Sequence, residues 1–151
     1  MKKQFALSLA FLTSALLMGC GSSSTSSDED SSSSSSYNAK DCTLSEDGIK
    51  ILLPSGGEEY TIGDSVTIVF VAKYANAGGF SVLYKASEDD KGTELFKNSV
   101  GDDAPDGTAC TEVKALLSDK LSASTEASIF VKAYNAPKIR ATSNTFTVKA
   151  K

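Results

Sequence analysis

The residues able to do chemistry in this chain are three cysteines and a scatter of carboxylates, and there is no histidine. Without an imidazole, Ser-His-Asp catalysis, Cys-His catalysis and histidine-based metal sites are excluded. Two carboxylates alone suffice for glycoside hydrolysis, and Glu58-Glu59, Glu88-Asp89-Asp90 and Asp102-Asp103 supply carboxylates in plenty. All of them lie in polar, turn-like stretches. Carboxylates there are solvated, and a domain of roughly 100 residues seldom encloses a cleft deep enough to raise a pKa and exclude water. The loop from Asp102 to Gly107 lacks the alternating ligand spacing of an EF-hand. The expectation is a non-catalytic chain with no cofactor and no bound metal.

Cys20 sits in a different context from the other two cysteines. Lys2 and Lys3 precede an apolar run from Phe5 to Met18, too short for a membrane-spanning helix but suited to a signal-peptide core. The run ends in Leu17-Met18-Gly19-Cys20, which resembles the bacterial lipobox. That resemblance implies cleavage before Cys20 and attachment of diacylglycerol, with palmitate-like chains, to its thiol. Each buried methylene contributes about 0.8 kcal/mol, so two or three chains hold where one exchanges. Gly21 stands where an aspartate would signal inner-membrane retention, which is similar to the outer-membrane pattern. A lipid anchor in the outer membrane is therefore expected, with the domain facing either the periplasm or the medium.

With Cys20 committed to lipid, Cys42 and Cys110 remain as an even pair in an oxidising compartment, and a disulfide between them is predicted. Two cysteines without histidine make a poor zinc site. From Gly21 to Ser36 the chain is almost all serine around Thr25 and Asp28-Glu29-Asp30, too polar to offset the cost of ordering. The organisation expected is a leader over 1–19, a lipidated and disordered tether over 20–48 and a folded domain over 49–151. A Gly/Ser-like coil of the tether's length spans roughly 30 Å. Loss of the leader removes Lys2 and Lys3, leaving 13 basic against 19 acidic residues and a net charge of −6. Nucleic acid is thereby disfavoured as a partner.

The elements that must carry these residues show a period of two. Val66, Ile68, Phe70 and Ala72 alternate, as do Phe80, Val82 and Tyr84, then Ile129, Val131 and Ala133, then Phe146 and Val148, as half-buried strands require. Turn residues fall between them at Pro54-Ser55-Gly56-Gly57, Gly63-Asp64, Asn76 to Gly79, Asp102 to Gly107 and Asn135-Ala136-Pro137. Strands are predicted near 49–53, 65–73, 80–86, 93–97, 111–117, 128–134 and 142–149. About seven strands favour an all-β, immunoglobulin- or fibronectin-III-like antiparallel sandwich. Lys114 to Leu121 fits either a strand or a short helix.

The run Ile49-x-Ile51-x-x-Pro54-x-Gly56-Gly57-Glu58-x-Tyr60-x-x-Gly63-Asp64-x-Val66-x-Ile68-x-Phe70 resembles the opening of one immunoglobulin-like module. That module belongs to the Ser/Thr-rich, GPI-anchored yeast cell-wall protein family, with bacterial relatives on surface and secreted proteins. Ser143-x-x-Phe146-x-Val148 is similar to its last strand. The sequence departs from the pattern at Phe70, where tryptophan is usual, and at Ala127-Ser128, where tyrosine is. The resemblance implies a fold and not a ligand, with a polysaccharide setting as its only functional suggestion.

What remains for function is surface. Val69 and Val71 make both faces of the second strand apolar, and Leu83 is placed beside them. This face, or the aromatic residues Tyr60, Tyr74 and Phe80 near loop ends, would contact a polysaccharide or protein if the domain binds one. Packing is the competing role for each. The expected function is structural or assembly work in the envelope by a membrane-anchored lipoprotein, with envelope proteins as partners; the alternative is a surface adhesion module.

Overall fold

The computed structural model describes residues 36–96, 101 and 103–151. The expected leader, Cys20, the serine tract up to residue 35, position 97 of an expected strand, and Asp102 lie outside the described residues. Nine strands form among the described residues: β1 (Gly48–Leu53), β2 (Glu59–Thr61), β3 (Ser65–Lys73), β4 (Phe80–Lys85), β5 (Thr93–Glu94), β6 (Asp106–Leu116), β7 (Ser124–Ala133), β8 (Arg140–Thr142) and β9 (Phe146–Lys149).

They make two facing sheets, ordered β1-β3-β6 and β2-β9-β7-β4-β5, with β8 also paired to β7. All pairings are antiparallel except β2 with β9. The chain is an all-β sandwich of immunoglobulin-like type. Its core is the alternating set read from the sequence: Val66, Ile68 and Phe70 face Phe80, Val82, Tyr84, Ile129, Val131, Phe146 and Val148, all of them buried. Phe70 meets Phe80 edge to face at 5.4 Å, and Tyr84 meets Phe146 at 6.5 Å. The Tyr84 hydroxyl donates to the Ser122 carbonyl at 2.6 Å, so its burial leaves no polar atom unmatched.

Several expectations change, the count of about seven strands among them, and β7 starts at Ser124 where a start near 128 was expected. Glu59–Thr61, read as part of a turn, is β2; it adds to the sandwich by parallel pairing with β9. The single strand expected over 142–149 is two, β8 and β9, because Ser143 interrupts the ladder: its Oγ accepts from the Ile129 amide at 3.0 Å while its own amide donates to the Ile129 carbonyl at 2.8 Å. Strand β6 starts at Asp106 and not near 111, with Gly107 at φ +78° inside it. Past Leu116 the chain turns: Leu117 and Gly63 exchange backbone hydrogen bonds with the Gly63-Asp64 turn and Leu117 respectively, so Lys114 to Leu121 is strand and then turn.

Candidate functional site

The segment before β1, expected to belong to the disordered tether, is part of the fold from Asn38 onward. Asn38 accepts from the Lys40 amide at 3.0 Å and caps a 3-10 turn over Ala39–Asp41. Cys42 follows and forms the predicted disulfide with Cys110 of β6, at a Cα–Cα distance of 5.1 Å. Leu44 then donates its amide to the Gly107 carbonyl at 2.8 Å, and Lys73 Nζ reaches the Ser45 carbonyl at 2.7 Å. In register, Cys110 is opposite Val71, and opposite residues of an antiparallel pair share a face. The disulfide therefore lies on the outer face of the small sheet. Val69 and Val71, for which packing competed with ligand contact, have no exposed surface at all, so packing is their role. Leu83 is likewise buried, with Gly92 folded over it so closely that an added Cβ would stand 3.1 Å from its side chain.

The Pro54-Ser55-Gly56-Gly57-Glu58 run builds a cradle around one carboxylate. Glu58, 8% exposed, accepts from the Ser55 amide at 2.6 Å, the Ser55 hydroxyl at 2.9 Å and the Gly56 amide at 2.8 Å. Burial alone would raise its pKa; the hydrogen bonds from its own amide, Ser55 and Gly56 outweigh that and hold it below the ordinary carboxylate value. A carboxylate so saturated with donors is a turn lock and a poor proton donor. The cradle docks on the break between β8 and β9: Asn144 Nδ2 donates to the Ser55 carbonyl at 2.6 Å, and the Gly57 amide to the Thr145 carbonyl at 2.9 Å. Gly56, at φ +111°, is so close that a Cβ there would lie 2.6 Å from Asn144 Cβ.

Asp90 and Asp106 also accept from nearby amides. Asp90 accepts from the Ala86 and Gly92 amides at 2.9 and 3.1 Å, and these bonds, in that order, lower its pKa. Asp106 is lowered by the Thr108 hydroxyl and amide. Glu59 pairs with Lys149 at 2.6 Å on the surface. Among the described residues no group of three or more His, Cys, Asp or Glu is arranged to hold a metal ion.

Of the aromatic candidates, Phe80 is corrected outright: it is 1% exposed and locked against Phe70 in the core, so no ring face is left for a ligand. Tyr60 is half-buried on β2, set edge to face on Phe146 at 5.5 Å. Tyr74 packs partly against the core just beyond β3, its amide donating to the Pro105 carbonyl. The structure does not bring the three together.

No protein-family model matches this chain, and no curated protein is similar to it.

The residues that do converge are on the outer face of the larger sheet. Ser81, Leu83, Gly92, Glu94, Lys132, Tyr134 and Pro137 line an open hollow of about 320 Å³. Glu94 accepts from the Ser81 hydroxyl at 3.1 Å and the Tyr134 hydroxyl at 3.4 Å. Tyr134 is 40% exposed; desolvation first, and then the neighbouring Glu94 charge, raise its phenol pKa. Sequence reasoning passed over this group. Its one signal was Tyr134 standing directly before the Asn135-Ala136-Pro137 turn, a loop-end aromatic as much as Tyr74; Glu94 carried none, since β5 is only two residues long.

Proposed function

We propose that this chain is an outer-membrane lipoprotein, anchored through Cys20, whose immunoglobulin-like sandwich has a non-catalytic structural or assembly role. The observation that carries the proposal is the Cys42–Cys110 disulfide. A disulfide that fastens the start of the domain to the third strand of a sheet suits an exported protein, and it fixes the point at which a membrane tether would load the domain. The leader, the Leu17-Met18-Gly19-Cys20 run and Gly21 support the anchor and its membrane. Among the described residues no helix is long and apolar enough to cross a membrane. The resemblance to the yeast cell-wall family belongs to the same proposal and adds fold-level support only.

The engagement of Glu58, Asp90 and Asp106 as turn locks supports a non-catalytic reading, because none is presented to solvent as a paired acid and base. A second reading, surface adhesion, is favoured by one observation: the hollow beside Tyr134, where an exposed ring, a carboxylate and Lys132 meet as hydroxyl-rich ligands require.

The test is fractionation of cells producing the native chain or Cys20→Ala, with protease accessibility and capture on insoluble polysaccharide measured on the same intact cells. Membrane retention lost in the variant is the expected result, and equal partitioning of the two would overturn the anchor. Protease protection without capture supports the structural role facing the periplasm. Protease sensitivity with capture, abolished by Tyr134→Ala, supports adhesion.

A further inference from the structure

Among the described residues, the small sheet ends in an unpaired edge. Strand β6 pairs with β3 on one side, and no described strand pairs with it on the other; the Leu44 bond to the Gly107 carbonyl lies before the Cys110–Leu116 stretch. A long exposed row of backbone N–H and C=O groups is a template for another strand. The outer-face side chains of β6 are Cys110, Glu112, Lys114 and Leu116, opposite Val71, Val69, Thr67 and Ser65 of β3. Glu112 and Lys114 are exposed, and neither side chain has an ion-pair or hydrogen-bond partner among the described residues. Leu116, at 59%, is the most exposed large apolar side chain described.

We propose that β6 pairs antiparallel with β6 of a second copy of this chain, about a two-fold axis through Val113, joining two small sheets into one of six strands. The register follows from charge. Opposed residues share a face and lie close enough for their side chains to interact. An axis through Val113 sets Glu112 opposite the partner's Lys114, and Lys114 opposite the partner's Glu112. Moving the axis one residue, to Glu112 or to Lys114, sets like charge on like charge and is disfavoured. The same register brings Leu116 opposite the partner's Cys110, where it is covered by the partner's disulfide. One pairing thus accounts for the open edge, the unpartnered charges and the exposed leucine. It runs from Cys110 to Leu116 and stops there because the Leu117 amide is already committed to the Asp64 carbonyl at 2.8 Å.

This pairing needs no lipid anchor, so its failure leaves the proposed localisation untouched. The test is sedimentation velocity on the full chain in non-ionic detergent over a concentration series, with Glu112→Lys, Lys114→Glu, both together, and a one-to-one mixture of the two single variants. The native chain is expected to dimerise. Each single reversal, acting twice across the axis, is expected to weaken dimerisation by roughly tenfold or more. The double reversal restores both attractions and is expected to dimerise like the native chain, and the mixture is expected to form heterodimers. The substituted side chains are exposed, so thermal midpoints should not move; a variant that unfolds is replaced in the comparison by Glu112→Gln or Lys114→Gln. A native chain that stays monomeric, a dimer that survives both single reversals, or a double reversal no better than the singles overturns the proposal.

Discussion

Removing the Glu58 carboxylate should unfasten the turn that joins both ends of the domain. In Glu58→Ala, the Ser55 and Gly56 amides and the Ser55 hydroxyl lose their common acceptor, with bonds of 2.6 to 2.9 Å broken at once. Hydrogen bonds to a charged group contribute about 1.5–3 kcal/mol each, but water will reach part of a turn so near the surface, so a total of about 3 kcal/mol is expected. For a domain of this size that lowers Tm by roughly 12–24 °C, read by far-UV circular dichroism. Glu58→Gln keeps an acceptor for Ser55 but turns an amide NH2 toward the Gly56 N–H, and should cost about half as much. Acid supplies the control. Because the folded-state pKa is depressed, the carboxylate's contribution is complete above the ordinary value of the unfolded chain and is lost as pH falls through the lower folded value. The gap between native and Glu58→Gln should therefore close on acidification. A Glu58→Ala variant within about 0.5 kcal/mol of native, or a gap that widens as the pH falls, would refute the reasoning.

Cys42→Ala with Cys110→Ala should destabilise the domain by up to about 4 kcal/mol, the chain-entropy value for a loop of this length, seen as a lower urea midpoint; an unchanged midpoint would mean the leading segment is held by its hydrogen bonds alone. Gly56→Ala must relieve a 2.6 Å approach to Asn144 at a positive φ, and should cost about 2 kcal/mol or more. The same substitution at Gly57, which has nothing within 4 Å of an added Cβ, should carry the conformational cost alone, and equal losses at the two sites would sink the steric part of the argument.

The strands that carry the core were legible because each alternates over several residues between a buried and a solvated face. Phe80-x-Val82-x-Tyr84 and Ile129-x-Val131-x-Ala133 lie side by side, Val82 opposite Val131. Strand β2 was illegible because three residues between two turns have no period, and its partner β9 lies at the far end of the domain's sequence, Glu59 opposite Thr147. The break at Ser143 was hidden for a different reason: a serine hydroxyl standing in for a ladder bond leaves no hydropathy trace. Val69 and Val71 were legible as a second apolar face of β3, but the alternation alone could not say whether packing or a ligand covers it; their burial decides for packing. The even count of Cys42 and Cys110 predicted their bond, yet nothing in the sequence said that it would lie over the outer face and hold to the fold residues expected in a tether. Glu58 looked like any surface carboxylate, because its saturation with donors depends on the positive-φ turn of Gly56 and Gly57.

The Cys42–Cys110 bond also sets a path for mechanical load. If the domain hangs from the tether proposed above, tension enters it at Cys42 and passes through sulfur to Cys110, short-circuiting everything between. The covalent loop of 68 residues, which includes β1 to β5, cannot be drawn out by a pull between tether and C-terminus, so about 240 Å of contour stays in reserve. Only the segment after Cys110 can lengthen under such a pull, until a thiol reductant opens the bond.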